Sequence, residues 1–234
     1  MNIIKGIQKT TLVDYPETVA CTIFLGGCNF KCGYCHNSDL VFRPNEVEGI
    51  PTGDFLSFLE TRKRLLDGVC ITGGEPTLHR ELVHLCERIK LLGFRVKLDT
   101  NGSNPEMLRL LIESRLVDYI AMDVKSGLES YGRVIGVETN LENIRKSIEL
   151  IRSSGISHEF RTTVVPDIIN EAEIGKIGEL VKGENKYFLQ QFRPSKNTVD
   201  RKYNVMEPLP GEKLSEFRKI MEGYVQEVGI RNLN

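Results

Sequence analysis

The chain has 234 residues, 40% of them hydrophobic and 27% charged, with a net charge of −1. That is enough apolar material for one full core at a length that α/β barrels commonly reach, and a near-neutral balance argues against a nucleic acid or an anionic membrane surface as the main partner. Met1 to Thr10 lacks the apolar stretch of a signal peptide, and no run approaches the roughly 18 apolar residues of a membrane span, so a cytoplasmic, reducing location is the default expectation.

In chain order, residues 1–18 read as an N-terminal extension, after which short apolar strands alternate with amphipathic helices. The strands are expected at Val19–Leu25, Gly68–Thr72, Phe94–Asp99, Tyr119–Asp123, Glu159–Val165 and Tyr187–Phe192, each rich in β-branched or aromatic residues. Helices are expected at Thr52–Leu66, Arg80–Leu92, Pro105–Ser114, Leu141–Ser153, Glu171–Lys182 and Glu212–Val228. Thr52, Asn104 and Asn140 suit N-caps, and Gly93 and Gly155 suit the position just past a helix. Leu141, Ile144, Ile148 and Ile151 form one apolar face. Six β/α units in series imply a parallel sheet. Six strands are too few for a complete TIM barrel, so the expected fold is α/β, an open (β/α)6 partial barrel. It forms one domain over 1–234, with its core at 19–192 and a loop and C-terminal helix at 193–234. Ser195–Pro210, polar and carrying Pro208 and Pro210, reads as a mobile cover.

Six cysteines are too sparse for a disulfide framework. Cys21, Cys70 and Cys86 fall at apolar positions and read as core. Cys28, Cys32 and Cys35 instead form a CxxxCxxC knot in Gly26-Gly27-Cys28-Asn29-Phe30-Lys31-Cys32-Gly33-Tyr34-Cys35-His36-Asn37, directly after the first apolar strand. Three thiolates from one loop can hold three corners of a [4Fe–4S] cluster and leave one iron open. A zinc site is a weaker reading, because the only convenient fourth ligand, His36, adjoins Cys35.

Parallel β/α barrels gather their active-site residues in the loops after the strands. Here those loops hold the cysteines, then Gly73-Gly74-Glu75-Pro76, Asp99-Thr100-Asn101-Gly102, Asp123-Val124-Lys125, Thr163 to Pro166, and Gln191-Phe192-Arg193. Taken singly, each has a bland reading as a turn or a solvated pair. All six at one end of a sheet do not.

The cysteine spacing, with aromatic Tyr34 before the third cysteine, resembles the radical S-adenosylmethionine superfamily. The resemblance implies one [4Fe–4S] cluster on Cys28, Cys32 and Cys35 and bound S-adenosylmethionine as cofactors. It implies cofactor contacts from Tyr34, His36, Asn37, Gly73, Gly74, Glu75, Asp99, Asn101, Asp123, Lys125 and Gln191, with no protein catalytic group beyond cluster and cofactor. Glu75 would meet the ligand's ammonium group, and Asp123 and Lys125 its carboxylate and ribose. Gly6-Ile7-Gln8-Lys9, Leu12-Val13-Asp14-Tyr15-Pro16, Tyr34-Cys35-His36-Asn37, Asp99-Thr100-Asn101-Gly102 and Met122-Asp123-Val124-Lys125 extend the likeness to the activating enzymes of glycyl-radical enzymes, nearest to activators of anaerobic ribonucleoside-triphosphate reductase.

The partners so implied are a glycyl-radical enzyme and a low-potential electron donor such as flavodoxin or ferredoxin. Arg161, Gln191 and Arg193 are candidates to orient the incoming backbone, with salt bridges an equal reading for the arginines. Where pyruvate formate-lyase activators tend to carry Val-Asp-Gly-Pro-Gly, this chain has Val13-Asp14-Tyr15-Pro16-Glu17. Activation of that or another glycyl-radical enzyme, and radical chemistry on a small molecule in cofactor or modified-nucleoside biosynthesis, therefore stay open. No cysteine lies between Cys35 and Cys70 or after Cys86, so a single cluster is expected.

Overall fold

A computed structural model describes residues 2–233; Met1 and Asn234, the outermost positions of the expected single domain, lie outside the described residues. One sheet of eight strands runs in sequence order. The first strand, β1 (Ile4–Thr11), is antiparallel to β2 (Ala20–Leu25). Parallel strands follow as β3 (Gly68–Gly73), β4 (Arg95–Thr100), β5 (Tyr119–Asp123), β6 (Ser157–Val164), β7 (Lys186–Gln191) and β8 (Glu227–Arg231). The helices are α1 (Ser38–Phe42), α2 (Thr52–Arg62), α3 (Leu82–Leu91), α4 (Pro105–Glu113), α5 (Leu128–Ile135), α6 (Leu141–Ser153), α7 (Glu171–Leu180) and α8 (Gly211–Met221). The two outer strands, β1 and β8, do not pair, so the barrel is partial and open.

All six expected strands are present, and the sheet has one more at each end. The segment read as an extension supplies β1, and the last helix, expected to run to Val228, stops at Met221 to make room for β8. Thr52 is not a cap: Pro51 occupies that position and Thr52 is the first helical residue. Asn104 and Asn140 do cap, accepting from the backbone N–H of Met107 (3.2 Å) and Glu142 (3.1 Å). Gly93 and Gly155 stand past their helices at φ +91° and +70°, where a side chain would be strained.

The core lies between sheet and helices. Strand β2 (Ala20-Cys21-Thr22-Ile23-Phe24-Leu25) is buried at every position but Phe24, as a parallel strand covered on both faces must be. Ile144, Ile148 and Ile151 of α6 point inward, with Leu141 half-buried beside them. Cys21, Cys70 and Cys86 are fully buried. The interior of the barrel is ionic instead. Arg161 donates from Nε to Asp123 (2.6 Å) and from an Nη to Asp99 (3.1 Å). Arg231 grips the fully buried Glu159 with both Nη groups (2.5 and 2.8 Å), and Tyr119 donates to the same carboxylate (2.8 Å). Buried charges of this kind persist only when paired.

Candidate active site

The carboxyl ends of β2 to β7 converge on one cavity of about 440 Å³, within the range that holds small ligands. Every residue that the resemblance assigns to the cluster or the cofactor lies on its wall: Cys28, Cys32, Tyr34, Cys35, His36, Asn37, Gly73, Gly74, Glu75, Asp99, Asn101, Asp123, Lys125 and Gln191. Thr100, Arg161, Thr163, Gln190, Phe192, Arg193 and Asn232 join them. The Val13-Asp14-Tyr15-Pro16 run lies in the connection from β1 to β2, at the opposite end of the sheet from the cavity. There Asp14 accepts from the Thr22 hydroxyl (2.6 Å).

The cysteine loop is fixed on several sides. On one it meets the end of β3, where the Glu75 N–H donates to the Gly27 carbonyl (2.8 Å) and Asn37 Nδ2 donates to the Gly73 carbonyl (3.0 Å). Gly73 has φ +121°, and a Cβ on Gly74 would stand 1.9 Å from the Gly27 oxygen. The two glycines are therefore required by the approach of one backbone to another, before any ligand is considered. On a second side the Lys31 N–H donates to the Ile135 carbonyl at the end of α5 (2.7 Å). His36 Nε2 lies 2.7 Å from the Arg193 carbonyl oxygen.

Glu75 is buried to 1% exposure. One of its oxygens accepts from the Thr77 N–H (3.1 Å), the Thr77 hydroxyl and the Thr100 hydroxyl (2.8 Å). The other accepts from the Asn101 N–H (2.6 Å) and keeps capacity for a further donor on the cavity side. Burial raises its pKa, and these hydrogen bonds oppose the rise. Glu75 thus ties the loop after β3 to the loop after β4, a structural role the sequence did not reveal.

Across the cavity, Lys125 Nζ lies 3.1 Å from Asp123 Oδ2. Burial alone would raise both aspartates; at Asp123 the charges of Arg161 and then Lys125, and at Asp99 those of Arg161 and then Lys97, overcome it and hold both below the usual carboxylate range. Burial is the largest single effect on Lys125 and lowers its pKa, but the charge of Asp123, its hydrogen bond and the neighbouring Tyr34 and Cys32 together outweigh it and hold the pKa well above the usual lysine value. The Gln191 amide donates to the Leu209 carbonyl (2.7 Å), which fixes its orientation and leaves its buried Oε1 with no donor among the described residues. Burial pushes the Cys28 thiol up to about 12 and raises Cys32 in the same direction.

These residues fit an iron–sulfur cluster with a polar cationic ligand. Three thiols line the cavity together with carboxylate and amide groups, and Asn101 Nδ2 lies 4.0 Å from Cys28 Sγ. Among the described residues no three His, Cys, Asp or Glu side chains converge closely enough to hold a single metal ion; a four-iron cluster is a larger body and spaces its thiolates more widely. No helix among the described residues is long and apolar enough to cross a membrane.

Within the expected cover, Ser195–Pro210, Thr198 and Tyr203 are buried, whereas Val205, Glu207, Pro208 and Pro210 are exposed. Residues 194–204 run from the end of β7 into a short 3₁₀ turn, Arg201–Asn204. Thr198 and Asn204 are hydrogen-bonded to each other side chain to side chain, and Asn204 Nδ2 donates to the Lys196 carbonyl (3.1 Å). Local pairing of this kind is invisible to composition, which registered only polar residues and prolines.

Comparison with known proteins places the site in context. The profile of the Radical SAM superfamily matches residues 22–181. A Methanocaldococcus jannaschii protein provisionally named a glycyl-radical enzyme activating enzyme is 35% identical over 99% of this chain and 97% of its own length. The pyruvate formate-lyase-activating enzyme of Clostridium pasteurianum is 26% identical over 97% of this chain and 98% of its own. Among solved structures, Streptococcus suis SuiB bound to S-adenosylmethionine superposes with a TM-score of 0.68 at 14% identity, covering 88% of this chain; the chain spans 48% of SuiB. A domain of the pyruvate formate-lyase-activating enzyme of Bacteroides vulgatus gives 0.54 at 20% identity, covering 70% of this chain and 99% of that one.

Proposed function

This chain belongs to the radical S-adenosylmethionine superfamily, an enzyme family that uses a [4Fe–4S] cluster and S-adenosylmethionine, and from that premise we propose that it generates a glycyl radical on a partner enzyme. The partner we favour is an anaerobic ribonucleoside-triphosphate reductase. The observation that carries the reading is the gathering of Cys28, Cys32 and Cys35 with Glu75, Asp99, Asp123 and Lys125 around one cavity, joined to a likeness that spans nearly the whole chain.

In this reading Cys28, Cys32 and Cys35 hold the cluster, and Glu75 accepts a hydrogen bond from the ligand's ammonium through the oxygen that carries only the Asn101 donor. Asp123 and Lys125 face the carboxylate and ribose; Tyr34, His36 and Asn37 border the adenine side. Asp99 and Asn101 line the same wall. Gln191, with its acceptor unpartnered, receives a donor from cofactor or substrate. When bound, the cluster and S-adenosylmethionine supply a one-electron cleavage of the sulfonium that yields methionine and a 5′-deoxyadenosyl radical. The chain itself must orient one C–H bond toward that radical and exclude water and oxygen. A glycine Cα is well suited as the hydrogen donor, because its radical is delocalised between amides and, without a side chain, it enters a narrow mouth.

The test is anaerobic incubation of reduced protein with S-adenosylmethionine and an anaerobic ribonucleotide reductase, followed by electron paramagnetic resonance. A glycyl doublet that grows in step with 5′-deoxyadenosine is the expected result. Cofactor cleavage without any protein radical, but with consumption of a small metabolite, would overturn it.

A further inference from the structure

The cysteine loop is flanked by the cavity on one side and by residues 194–204 on the other. The Val199 N–H donates to the Cys35 carbonyl (3.1 Å) and the Asp200 N–H to the Gly33 carbonyl (2.8 Å). Between these bonds and the barrel sits Tyr203, 4% exposed. Its ring meets Tyr34 edge-on at 6.1 Å between centroids and Phe192 at 6.0 Å. The fit over Gly33 is close: a Cβ there would stand 2.7 Å from the Tyr203 ring. The outer end is moored to the loop after β6, where Asp167 takes a hydrogen bond from Lys202 (2.7 Å) and lies 3.4 Å from the Tyr203 hydroxyl.

The segment therefore bonds to the main chain of the cysteine loop itself, at residues 33 and 35, and adds an aromatic stack beside the residue between Gly33 and Cys35. Main-chain bonds act on the position of the thiols whatever their protonation or occupancy. Deleting a well-packed aromatic ring removes several kcal/mol of packing in a core, and local openings of a segment are governed by the stability of that segment, not of the whole fold.

We propose that residues 194–204 form a clasp that holds Gly33 to His36 in the conformation that ligates the cluster, with Tyr203 as its positioning residue. The clasp sets how often Cys32 and Cys35 swing away and release iron. The proposal rests on the reading of Cys28, Cys32 and Cys35 as cluster ligands; the clasp itself is a feature of this chain's own contacts.

The experiment compares wild type, Tyr203→Phe, Tyr203→Ala and Gly33→Ala. Each is reconstituted anaerobically, and the decay of visible cluster absorbance in excess ferrous chelator is timed without S-adenosylmethionine or turnover. Tyr203→Phe keeps the ring and should release iron within about twofold of wild type, whereas Tyr203→Ala and Gly33→Ala should release it about tenfold faster or more, as expected when a segment loses over 1 kcal/mol of local stability. A second arm measures alkylation of the cysteines in the iron-free full-length chain, which should accelerate at Cys32 and Cys35 in the same two variants and stay unchanged at Cys28. If wild type binds no cluster, the ligand assignment fails while the alkylation arm still reads the clasp. Iron release and alkylation in Tyr203→Ala at wild-type rates, with an unchanged melting temperature, would overturn the clasp.

Discussion

Gly74 passes so near Gly27 that a Cβ at position 74 would stand 1.9 Å from the Gly27 carbonyl oxygen. Neither backbone can yield, because Gly27 O accepts from the Glu75 N–H and the Gly74 N–H donates to the Leu25 carbonyl, both at 2.8 Å. Gly74→Ala should therefore cost about 3 kcal/mol or more, at the upper end for overpacking, and abolish cluster binding. Gly53→Ala is the control. No heavy atom lies within 4 Å of its added Cβ, so that helical substitution should stabilise by about 0.4–1 kcal/mol. Thermal denaturation of both variants checks the pair.

Anaerobic reconstitution separates the six cysteines into two groups. Alanine at Cys28, Cys32 or Cys35 should leave iron content near zero. Alanine at Cys21, Cys70 or Cys86, all fully buried in the core, should leave it near that of wild type while lowering the melting temperature by the loss of packed volume. Full iron content in Cys32→Ala would return the loop to a structural role.

Replacing Glu75 should have two effects at once. Loss of its carboxylate leaves the Thr77, Thr100 and Asn101 donors without a partner, at about 1–3 kcal/mol for each buried group so orphaned. Loss of the charge-assisted bond to the ligand should also weaken S-adenosylmethionine binding roughly 10- to 150-fold. Thr77→Val separates the two: Thr77 is fully buried and off the cavity wall, so that variant should melt lower yet bind within about twofold of wild type. Titration calorimetry gives the affinities.

Arg161 is the hub of the barrel interior. Removing it in Arg161→Met leaves the half-buried Asp99 and Asp123 with one cation fewer, a loss of about 1.5–3 kcal/mol. Lysine should not restore it, since a single ammonium cannot bridge two carboxylates as the guanidinium does. Urea unfolding of the two variants against wild type tests this.

The pH dependence of stability carries a signature of His158, whose Nε2 lies 2.9 Å from Glu184 Oε2. Burial is the largest single effect and lowers its pKa, but the hydrogen bonds to Glu184 and the Ile156 carbonyl and the Glu184 charge together outweigh it and raise it above the usual 6.5. A raised folded-state pKa means that the folded chain binds the proton more tightly. Its contribution is thus complete below about pH 6.5 and fades as pH climbs through the folded value. The difference in unfolding free energy between wild type and His158→Gln should be largest near pH 6 and shrink toward pH 9. A difference that grows with pH would contradict the assignment.

The cysteine loop and the six inner strands were legible because apolar runs such as Cys21-Thr22-Ile23-Phe24-Leu25 end directly in polar, glycine-rich turns. Strand β1 was not: Lys5, Gly6, Gln8 and Lys9 give it no apolar alternation, as befits an edge strand that pairs on one side only. The strand β8 was masked for a different reason. Leu214, Phe217, Met221, Val225 and Val228 continue a helical spacing straight through the end of α8 and into β8, so periodicity alone extends the helix. The cavity wall was legible as a set of strand ends. What Gly73, Gly74 and Glu75 do for the backbone was not, because Gly27 and Asn101 lie far from them in sequence. Nor was Tyr203, an aromatic in a polar stretch whose partner, Gly33, offers no side chain to suggest the contact.

His36 and the carbonyl of Arg193 that it meets are 157 residues apart, with the Cys35–Val199 and Gly33–Asp200 bonds comparably distant. At a synthesis rate of about 5–20 residues per second, the ribosome delivers the second member of the His36 pair about 8–30 s after the first. For most of that interval the nascent cysteine loop has at most β3 to rest on, with neither the carbonyl of Ile135 at the end of α5 nor an outer wall. If the loop holds a cluster as proposed, iron delivered in that window reaches it before residues 194–204 close over it, whereas a chain completed without metal would wait for that segment to open.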